Sequence, residues 1–405
     1  MNTTTPKNWT YISLAKAGEL IMGQSPSGSS YNSVGNGLPL LNGAAELRIN
    51  GIDVKKHTTS PTRMSEAGDL LFCIRATIGN LNISDKEYCL GRGVAALRVN
   101  NKYSKKYISL QLEALFDQMR KMSQGGVIKG LKKEEIGEFK FLIPLDKLKQ
   151  EKIADIILSV ENTISETQKM IDRSEKLKKS LMHQLFTKGI GHTKFKQTEI
   201  GEIPENWQVK NIGSMITHVG SGITPRGGSN VYRKSGIPLI RSQNVHFDGL
   251  RTDDMAFISP EIHSSMKRSV VFPDDVLLNI TGASIGRTTV VPDNFPESNV
   301  NQHVCIIRTI RKELLPKFLC YFLQGEEGQK QIWAIQAGGN RPGLNYEQVK
   351  SIILPISHDI QEQKQIVNVL QSIDNQIAIN RKLKAKQELL KQGLMQDLLT
   401  GKVVV

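Results

Sequence analysis

The chain has 405 residues, of which 39% are hydrophobic, and its 53 Lys and Arg against 39 Asp and Glu give a formal net charge of +14 at pH 7. This length predicts two or three domains rather than one. The excess of positive charge favours an anionic polymer such as nucleic acid as a partner, although a lysine-rich soluble surface would give the same count.

Several classes of protein are excluded by the same composition. No stretch of about 18 apolar residues predicts a membrane span, and the first nine residues lack the apolar core of a secretory signal. The four cysteines have no C-x-x-C spacing, so neither a disulfide framework nor a zinc ribbon is indicated. These features predict a cytoplasmic protein.

Residues 1–145 are predicted to form a mixed α/β domain. Short apolar runs at 69–74 and 95–99 are typical of strands. The apolar spacing over 106–116 indicates a helix.

Residues 146–190 are predicted to form one long helix. Apolar side chains recur at intervals of three, four and seven from Ile153 to Leu185, and the run contains no proline. Pro144 before it and Gly189 after it are typical boundary residues. The helix would have roughly 40 residues and a length of about 60 Å.

Residues 191–355 repeat the first α/β segment faintly. Gly23-Gln-Ser-Pro26 returns as Gly222-Ile-Thr-Pro225, and Asp69-Leu-Leu-Phe72 returns as Asp275-Val-Leu-Leu278. The shared residues are mostly glycine, proline and apolar types, which turns and buried strands require. The polar residues between them differ, as expected for one scaffold that carries two sets of loop chemistry.

Residues 356–405 repeat the long helix clearly. The stretch that begins at Ile366 matches the one that begins at Ile153, about 213 residues earlier, without a gap as far as Thr187 and Thr400. Two such apolar stripes favour an intramolecular antiparallel coiled coil, in which polar positions fix the register. Two independent amphipathic helices, each packed on its own domain, are the alternative. The predicted pairing residues are Ile153, Val160, Thr167, Leu177, Leu181, Ile366, Ile373, Asn380, Leu390 and Leu394.

The predicted fold is therefore α/β: two mixed α/β domains joined by two long helices in an antiparallel coiled coil, with a pseudo-twofold internal repeat.

The motifs that resemble catalytic or cofactor sites are each incomplete. Residues 222–229 are similar to a phosphate-binding loop but have Gly228 in place of its lysine, and residues 91–96 lack the strand–turn–helix context of a dinucleotide site. The eight histidines show no metal-ligand spacing. The sequence thus predicts recognition, with no catalytic residue, cofactor or metal of its own.

The order of several motifs resembles a known family. Gly338-Gly to Gly343-Leu344 is followed by Ile352-Ile-Leu-Pro355 and then by Glu362-Gln363 at the start of the second helix. The first copy follows this pattern less closely and has Lys149 where the second has Glu362. Over essentially the whole chain, this arrangement is similar to the DNA specificity subunit of type I restriction–modification systems.

The resemblance implies a division of labour. Residues 1–145 and 191–355 would be two target recognition domains, each reading one half of a bipartite double-stranded DNA target. Residues 146–190 and 356–405 would be conserved spacer helices that fix the distance between the half-sites and dock two methyltransferase subunits, with restriction (motor-nuclease) subunits joining them. S-adenosylmethionine would belong to the methyltransferase subunits, and ATP and Mg²⁺ to the restriction subunits. No membrane is involved.

Base reading requires Arg, Lys, Asn, Gln, Ser or Thr at the groove edges. The candidates, for each of which a turn-supporting role competes, are Gln24, Ser25, Ser27, Arg75, Lys129, Thr224, Arg226, Arg241, Gln243, Asn244, Asn340 and Arg341. Two other functions compete with DNA specificity. They are a non-catalytic coiled-coil adaptor and, with less support, a DNA methyltransferase or nuclease with a divergent site.

Overall fold

A computed structural model describes residues 5–48, 51–75, 77–124, 130–225, 227–336, 343–403 and 405. The chain divides into two compact units. The first contains residues 1–167 and 383–405, and the second contains residues 168–382. Two long helices contribute residues to both units, so each unit contains one α/β domain and a segment of each helix.

The first unit contains thirteen strands among its described residues. They are β1 (Trp9–Ser13), β2 (Gly18–Met22), β3 (Tyr31–Asn32), β4 (Leu38–Leu41), β5 (Leu47–Arg48), β6 (Gly51–Ile52), β7 (Lys56–Thr58), β8 (Met64–Ser65), β9 (Leu70–Cys73), β10 (Gly79–Ile83), β11 (Tyr88–Leu90), β12 (Val94–Val99) and β13 (Lys140–Pro144). Its α-helices are α1 (Leu14–Ala17), α2 (Lys105–Gln124), α3 (Lys133–Glu138) and the long α4 (Lys147–Lys188), which continues into the second unit.

The described part of the second unit contains fourteen strands. They are β14 (Phe195–Thr198), β15 (Gly201–Pro204), β16 (Gln208–Asn211), β17 (Ile216–Ser221), β18 (Ile237–Ile240), β19 (Val245–His246), β20 (Gly249–Leu250), β21 (Ala256–Ile258), β22 (Val270–Val271), β23 (Val276–Asn279), β24 (Thr288–Val290), β25 (Ser298–Val300), β26 (Val304–Thr309) and β27 (Ile353–Ile356). Its α-helices are α5 (Pro260–Ser265), α6 (Pro316–Gln324), α7 (Glu326–Ala334), α8 (Tyr346–Ser351) and the long α9 (Ile360–Leu398), which ends in the first unit.

In the first unit, two main sheets pack against each other through apolar side chains of β9 and β12 on one side and of β4 and β11 on the other. One is antiparallel with the order β10-β9-β12-β2, and the other has the order β3-β7-β4-β11-β8 with β4 and β11 parallel. Leu70 and Phe72 of β9 belong to the core that includes α2, whereas Leu71 and Cys73 face the core beneath the second sheet. Because both faces of β9 are buried, its sequence is a continuous apolar run rather than an alternating one.

The second unit repeats this strand order, except that an isolated bridge between Arg233 and Phe257 stands where β3 pairs with β7. Its four-stranded antiparallel sheet has the order β17-β26-β23-β24, and a second sheet has the order β21-β18-β25-β22 with β18 and β25 parallel. A separate pair, β16 with β27, corresponds to β1 with β13. The mixed α/β fold and the internal repeat that the sequence predicts are therefore confirmed.

Within each unit, the segments of α4 and α9 run antiparallel. In the first unit, Lys391 Nζ lies 3.4 Å from Glu161 Oε1, and Thr167 Oγ1 donates to Gln387 Oε1 at 3.0 Å. In the second unit, Arg381 lies 2.7 Å from Glu175 and Lys178 lies 2.6 Å from Asp374. In both, a higher residue number on α4 meets a lower one on α9, which is the predicted orientation. None of the described helices is apolar over the length that a bilayer span needs.

The predicted pairing residues are unequally buried. Ile153 and Ile366 are fully buried in the cores of the two α/β domains, and Thr167 and Asn380 are nearly so. Val160, Leu181, Ile373 and Leu394 are half-buried. Leu177 and Leu390 are 52% and 53% exposed, so about half of each side chain lies on the surface, and their pairing stays a prediction. Apolar periodicity does not distinguish a side chain that faces a neighbouring helix from one left on the surface.

Candidate nucleic-acid interface

An ion pair between a buried aspartate and a half-buried arginine lies at the same position in both α/β domains. Asp69 accepts two hydrogen bonds from Arg98 at 3.1 and 3.0 Å, and Asp275 accepts two from Arg308 at 2.7 Å each. The two carboxylates are 2% and 1% exposed. Such two-point pairs hold planar groups in one geometry, so the strands that follow each aspartate start from the same position.

A glycine in each domain brings a loop against the strand opposite. Gly23 N donates to Val94 O at 3.0 Å, and Gly222 N donates to Asn301 O at 3.1 Å. A Cβ at Gly23 would lie 2.1 Å from Gly91 O, and one at Gly222 would lie 1.6 Å from a carbonyl oxygen. No side chain fits there, so the repeated glycines set where the following polar residues emerge.

The first edge, defined as Gln24, Ser25, Arg75 and Arg92, collects exposed polar groups in the first domain. Arg92 Nε donates to Ser25 Oγ at 3.2 Å. Ile74 N donates to Gly93 O at 3.0 Å, which places the neighbours of these two residues, Arg75 and Arg92, at the same end of the sheet. Among the residues that the structure describes, neither arginine has a carboxylate partner, so both guanidinium groups are available to a ligand.

Sequence reasoning missed Arg92. The signal is present in the sequence, because Gly91-Arg-Gly93 places an arginine between two glycines in a segment that lacks the context of a dinucleotide site. Its glycines have a structural role: Gly93 N donates to Asn42 O at 3.1 Å, and a Cβ on Gly93 would lie 2.2 Å from that oxygen. The tight turn therefore presents Arg92 rather than a nucleotide site.

The second edge, defined as Thr224, Thr281, Gln302 and His303, occupies the same place in the second domain. Thr224 Oγ1 donates to Gln302 Oε1 at 2.5 Å, and Gln302 Nε2 lies 2.9 Å from His303 Nε2. The hydroxyl of Thr281 lies 2.5 Å from His303 Nδ1. A hydrogen-bonded chain of hydroxyl, amide and imidazole groups thus replaces the two arginines of the first edge.

Three further candidates of the second domain, Arg241, Gln243 and Asn244, meet at Asp254. The Arg241 guanidinium donates to the Asp254 backbone oxygen at 2.6 Å and lies over the Tyr232 ring. Gln243 also donates to the Asp254 carboxylate. Asn244 is 1% exposed and bonds within the same loop, accepting from Arg241 N at 2.9 Å and donating to Arg251 O at 2.9 Å. Asn244 therefore holds the loop, whereas Gln243 remains exposed.

The other candidates are placed as follows. Ser27 is exposed and its hydroxyl lies 2.8 Å from that of Ser29, so it contributes to a local turn. Lys129, Arg226, Asn340 and Arg341 lie outside the described residues. Gly130 directly follows one of these segments, and a Cβ there would lie 2.9 Å from Arg75 Cγ. Arg75 is therefore next to Gly130.

The chemistry available at the two edges is that of hydrogen bonding. Arginine can donate two bonds to a guanine edge, while glutamine, threonine and histidine can donate or accept. Among the described residues, no group of three or more His, Cys, Asp or Glu is placed to hold a metal ion.

Comparison with known proteins gives one consistent result. The family model described as type I restriction modification DNA specificity domain matches residues 6–175 and 204–389. The MjaVIII type I restriction enzyme specificity subunit of Methanocaldococcus jannaschii is 27% identical over 410 residues, which cover 99% of this chain and 94% of that protein.

Two solved structures share the fold. The S subunit of a type I restriction-modification system from M. genitalium superposes with a TM-score of 0.61 at 14% identity, covering 98% of both chains. A chain from a structure concerned with complex assembly and conformational transition of the type I R-M system gives a TM-score of 0.62 at 15% identity, covering 99% of this chain and 100% of that one.

Proposed function

Because this chain belongs to the type I restriction–modification DNA specificity family, we propose that it reads a bipartite DNA sequence and directs a modification complex to it. The observation that carries the proposal is one folded frame, present twice, with different polar side chains at the equivalent edge. Ser25 with Arg92 in the first domain corresponds to Thr224 with Gln302 in the second. Two different half-sites require such a pair of unlike surfaces.

The two edges favour different bases. The first edge offers two arginines, whose forked donors suit the O6 and N7 acceptors of guanine. The second edge offers groups that both donate and accept, which suits adenine or thymine edges as well. The net charge of +14 supplies the sequence-independent attraction to phosphate.

Exposed apolar side chains on the long helices support docking of two copies of one modification subunit. Met170 and Leu177 on α4 are 48% and 52% exposed, and their counterparts Leu383 and Leu390 on α9 are 44% and 53% exposed. The two residues on each helix are seven positions, or about two helical turns, apart. The α4 residues lie in the second unit and the α9 residues in the first. Equivalent apolar patches on two units favour equivalent partners. Restriction subunits would then join this assembly.

The catalytic chemistry would belong to the partners. S-adenosylmethionine would bind the modification subunits, and ATP with Mg²⁺ would bind the restriction subunits. This chain would supply the choice of sequence and the positions of the subunits.

Single-molecule methylation sequencing tests the proposal in a host that expresses this chain with its modification subunit. The expected result is a new split methylated motif that requires both genes. A stable complex that produces no motif would instead support a coiled-coil adaptor, and methylation by this chain without a partner would support a divergent enzyme. Swapping residues 1–145 for the same domain of a relative should change one half-site and leave the other unchanged.

A further inference from the structure

A cleft of about 930 Å³ lies inside the second unit, between its α/β domain and its segments of α4 and α9. The domain side of this cleft is formed by α6 and by the turn between β19 and β20, and the helix side by residues 175–178 and 371–382. On this face the domain contacts the helices through separate polar bonds, such as the one from the Tyr321 hydroxyl to Asp374 at 2.7 Å, and not through continuous apolar packing.

Beyond one end of the cleft, the same domain and helices pack against each other through apolar side chains. Phe186 of α4 packs edge-on against Phe318 and Phe322 of α6, with ring centroids 4.9 and 5.6 Å apart. Ile366 and Leu370 of α9 are fully buried in the same core. Close-packed contacts of this kind resist sliding but permit a small rotation about them.

Arg381 closes the far end of the cleft. One guanidinium nitrogen lies 2.7 Å from Glu175 Oε1 of α4, and the other lies 3.2 Å from Asp248 Oδ2 in the turn between β19 and β20. At 1.5 Å per residue, Arg381 lies about 16 Å along α9 from Leu370. Because this contact lies far from the apolar contacts about which the domain could rotate, even a small rotation of the domain would displace it.

The turn that Arg381 holds is connected to the rest of the domain. Phe247 O accepts from Gln324 Nε2 at 3.0 Å, and the same amide donates to Thr288 O at 3.2 Å. Asp248 also lies 3.2 Å from Arg251. Through these hydrogen bonds, a movement of Asp248 is therefore coupled to a movement of the sheet that carries the second edge.

We infer that Arg381 is a positioning residue that sets the angle of the second recognition domain on the helix pair, and thereby the spacer length that the complex accepts. The inference rests on the proposed function. The side chains of Arg381, Glu175 and Asp248 are 48%, 47% and 45% exposed, so an ion pair here contributes little to global stability. Its effect is on orientation, since the bond to Asp248 joins the helices to the domain across the cleft, while the bond to Glu175 holds the Arg381 side chain against α4.

The test uses the full chain with its modification subunit and a plasmid library in which the two half-sites are separated by every spacer from a few base pairs below to a few above the natural length. Methylation is read by sequencing. For Arg381→Met, we expect methylation at spacers one base pair shorter or longer to rise roughly five-fold relative to the natural spacer. The bases of both half-sites should stay unchanged. Asp248→Asn, which weakens the same contact from the domain side, should give the same change.

Lys364→Met serves as a matched control, because Lys364 is an exposed lysine of α9 in the same unit. It should keep the narrow spacer preference. A spacer preference as narrow in both Arg381→Met and Asp248→Asn as in the control would overturn the inference, as would an equal loss of methylation at all spacers. If the unaltered chain yields no split motif in any spacer, the proposed function itself fails.

Discussion

Lys178 and Asp374 form an ion pair of 2.6 Å in the second unit, and their counterparts Lys391 and Glu161 lie 3.4 Å apart in the first. The repeat therefore preserves a cross-helix contact as well as helix positions. The surroundings differ, because Asp374 accepts from the Tyr321 hydroxyl at 2.7 Å whereas Lys391 also lies 3.2 Å from Glu113.

Replacing Lys391 with Met should lower the free energy of unfolding by about 1 kcal/mol at neutral pH. Its side chain is 15% exposed and lies between two carboxylates. Burial lowers the pKa of Lys391, but Glu113 and Glu161 outweigh burial and leave the pKa above its ordinary value. A raised pKa contributes stability below the ordinary value of 10.5, and this contribution is lost as the pH rises through the folded-state pKa. Urea unfolding of the variant and the parent from pH 7 to pH 11 measures the difference, which should narrow at the alkaline end.

Glu362 predicts the opposite pH dependence. Burial of its carboxyl raises the pKa, yet hydrogen bonds outweigh burial and leave it below the ordinary value of 4.5. The donors are Ser357, His192, Ile190 N and Trp207. A lowered pKa gives stability that is present above the ordinary value and lost as the pH falls through the folded-state pKa.

Glu362→Gln should therefore cost about 1–2 kcal/mol at pH 7, and the difference from the parent should shrink below pH 4.5. Chemical denaturation at a series of pH values checks this. Glu205→Gln, at an exposed carboxylate of the same unit, is the control. If the loss of unfolding free energy in Glu362→Gln does not vary with pH, the cause is the loss of a hydrogen-bond acceptor and not the loss of charge.

Two glycine-to-alanine changes should have opposite effects on the free energy of unfolding. At Gly222 the new Cβ would lie 1.6 Å from Val300 O, so Gly222→Ala must displace backbone and should destabilise the chain by about 3 kcal/mol or more. At Gly393, within α9, nothing lies within 4 Å of the new Cβ. Gly393→Ala should stabilise the helix by up to about 1 kcal/mol. Thermal unfolding of both variants decides the signs, and a neutral Gly222→Ala would mean that the loop after β17 is adaptable.

Arg92→Ala should relax the first half-site alone. Loss of a two-point contact to a base costs about 1–3 kcal/mol of discrimination at one position. Methylation sequencing should show a degenerate base in one half of the motif, with the other half intact. Lys86→Ala, at an exposed lysine of the same domain, should leave the motif unchanged. Equal weakening at both halves would assign Arg92 to phosphate contact rather than to base reading.

The repeated frame could be predicted because it depends on residues whose role is local. Gly23 and Gly222 recur since no other residue fits against the opposite strand, and Asp69 and Asp275 recur since each buried carboxylate binds a half-buried arginine. Each of these requirements is met by one residue type at one position, so it can be recognised in the sequence of both copies. The long helices were equally legible from their apolar period.

What depends on partners in space could not be predicted in this way. Lys149 and Glu362 occupy equivalent positions, but the lysine lies 5.9 Å over the Trp9 ring, while the carboxylate accepts from Trp207 Nε1 at 2.9 Å. The amide of Asn244 suits base reading, but in the structure it holds a loop. Leu177 and Leu390 fit the helical period, yet both are more than half exposed, because the period does not show how far a neighbouring element covers each apolar side chain.

The division of the chain between the two units has a consequence for its synthesis. Residues 168–382 form a continuous unit, but the first unit needs residues 383–405 as well. Leu398 and Leu399 are buried in its core, and Leu399 O accepts from Gln111 Nε2 at 3.0 Å, across 288 positions of sequence. Because the ribosome adds residues 383–405 after the whole second unit, the core of the first unit can be completed only after the second unit has been made. A premature stop near residue 390 should therefore remove Leu398 and Leu399 from the core of the domain that is synthesised first.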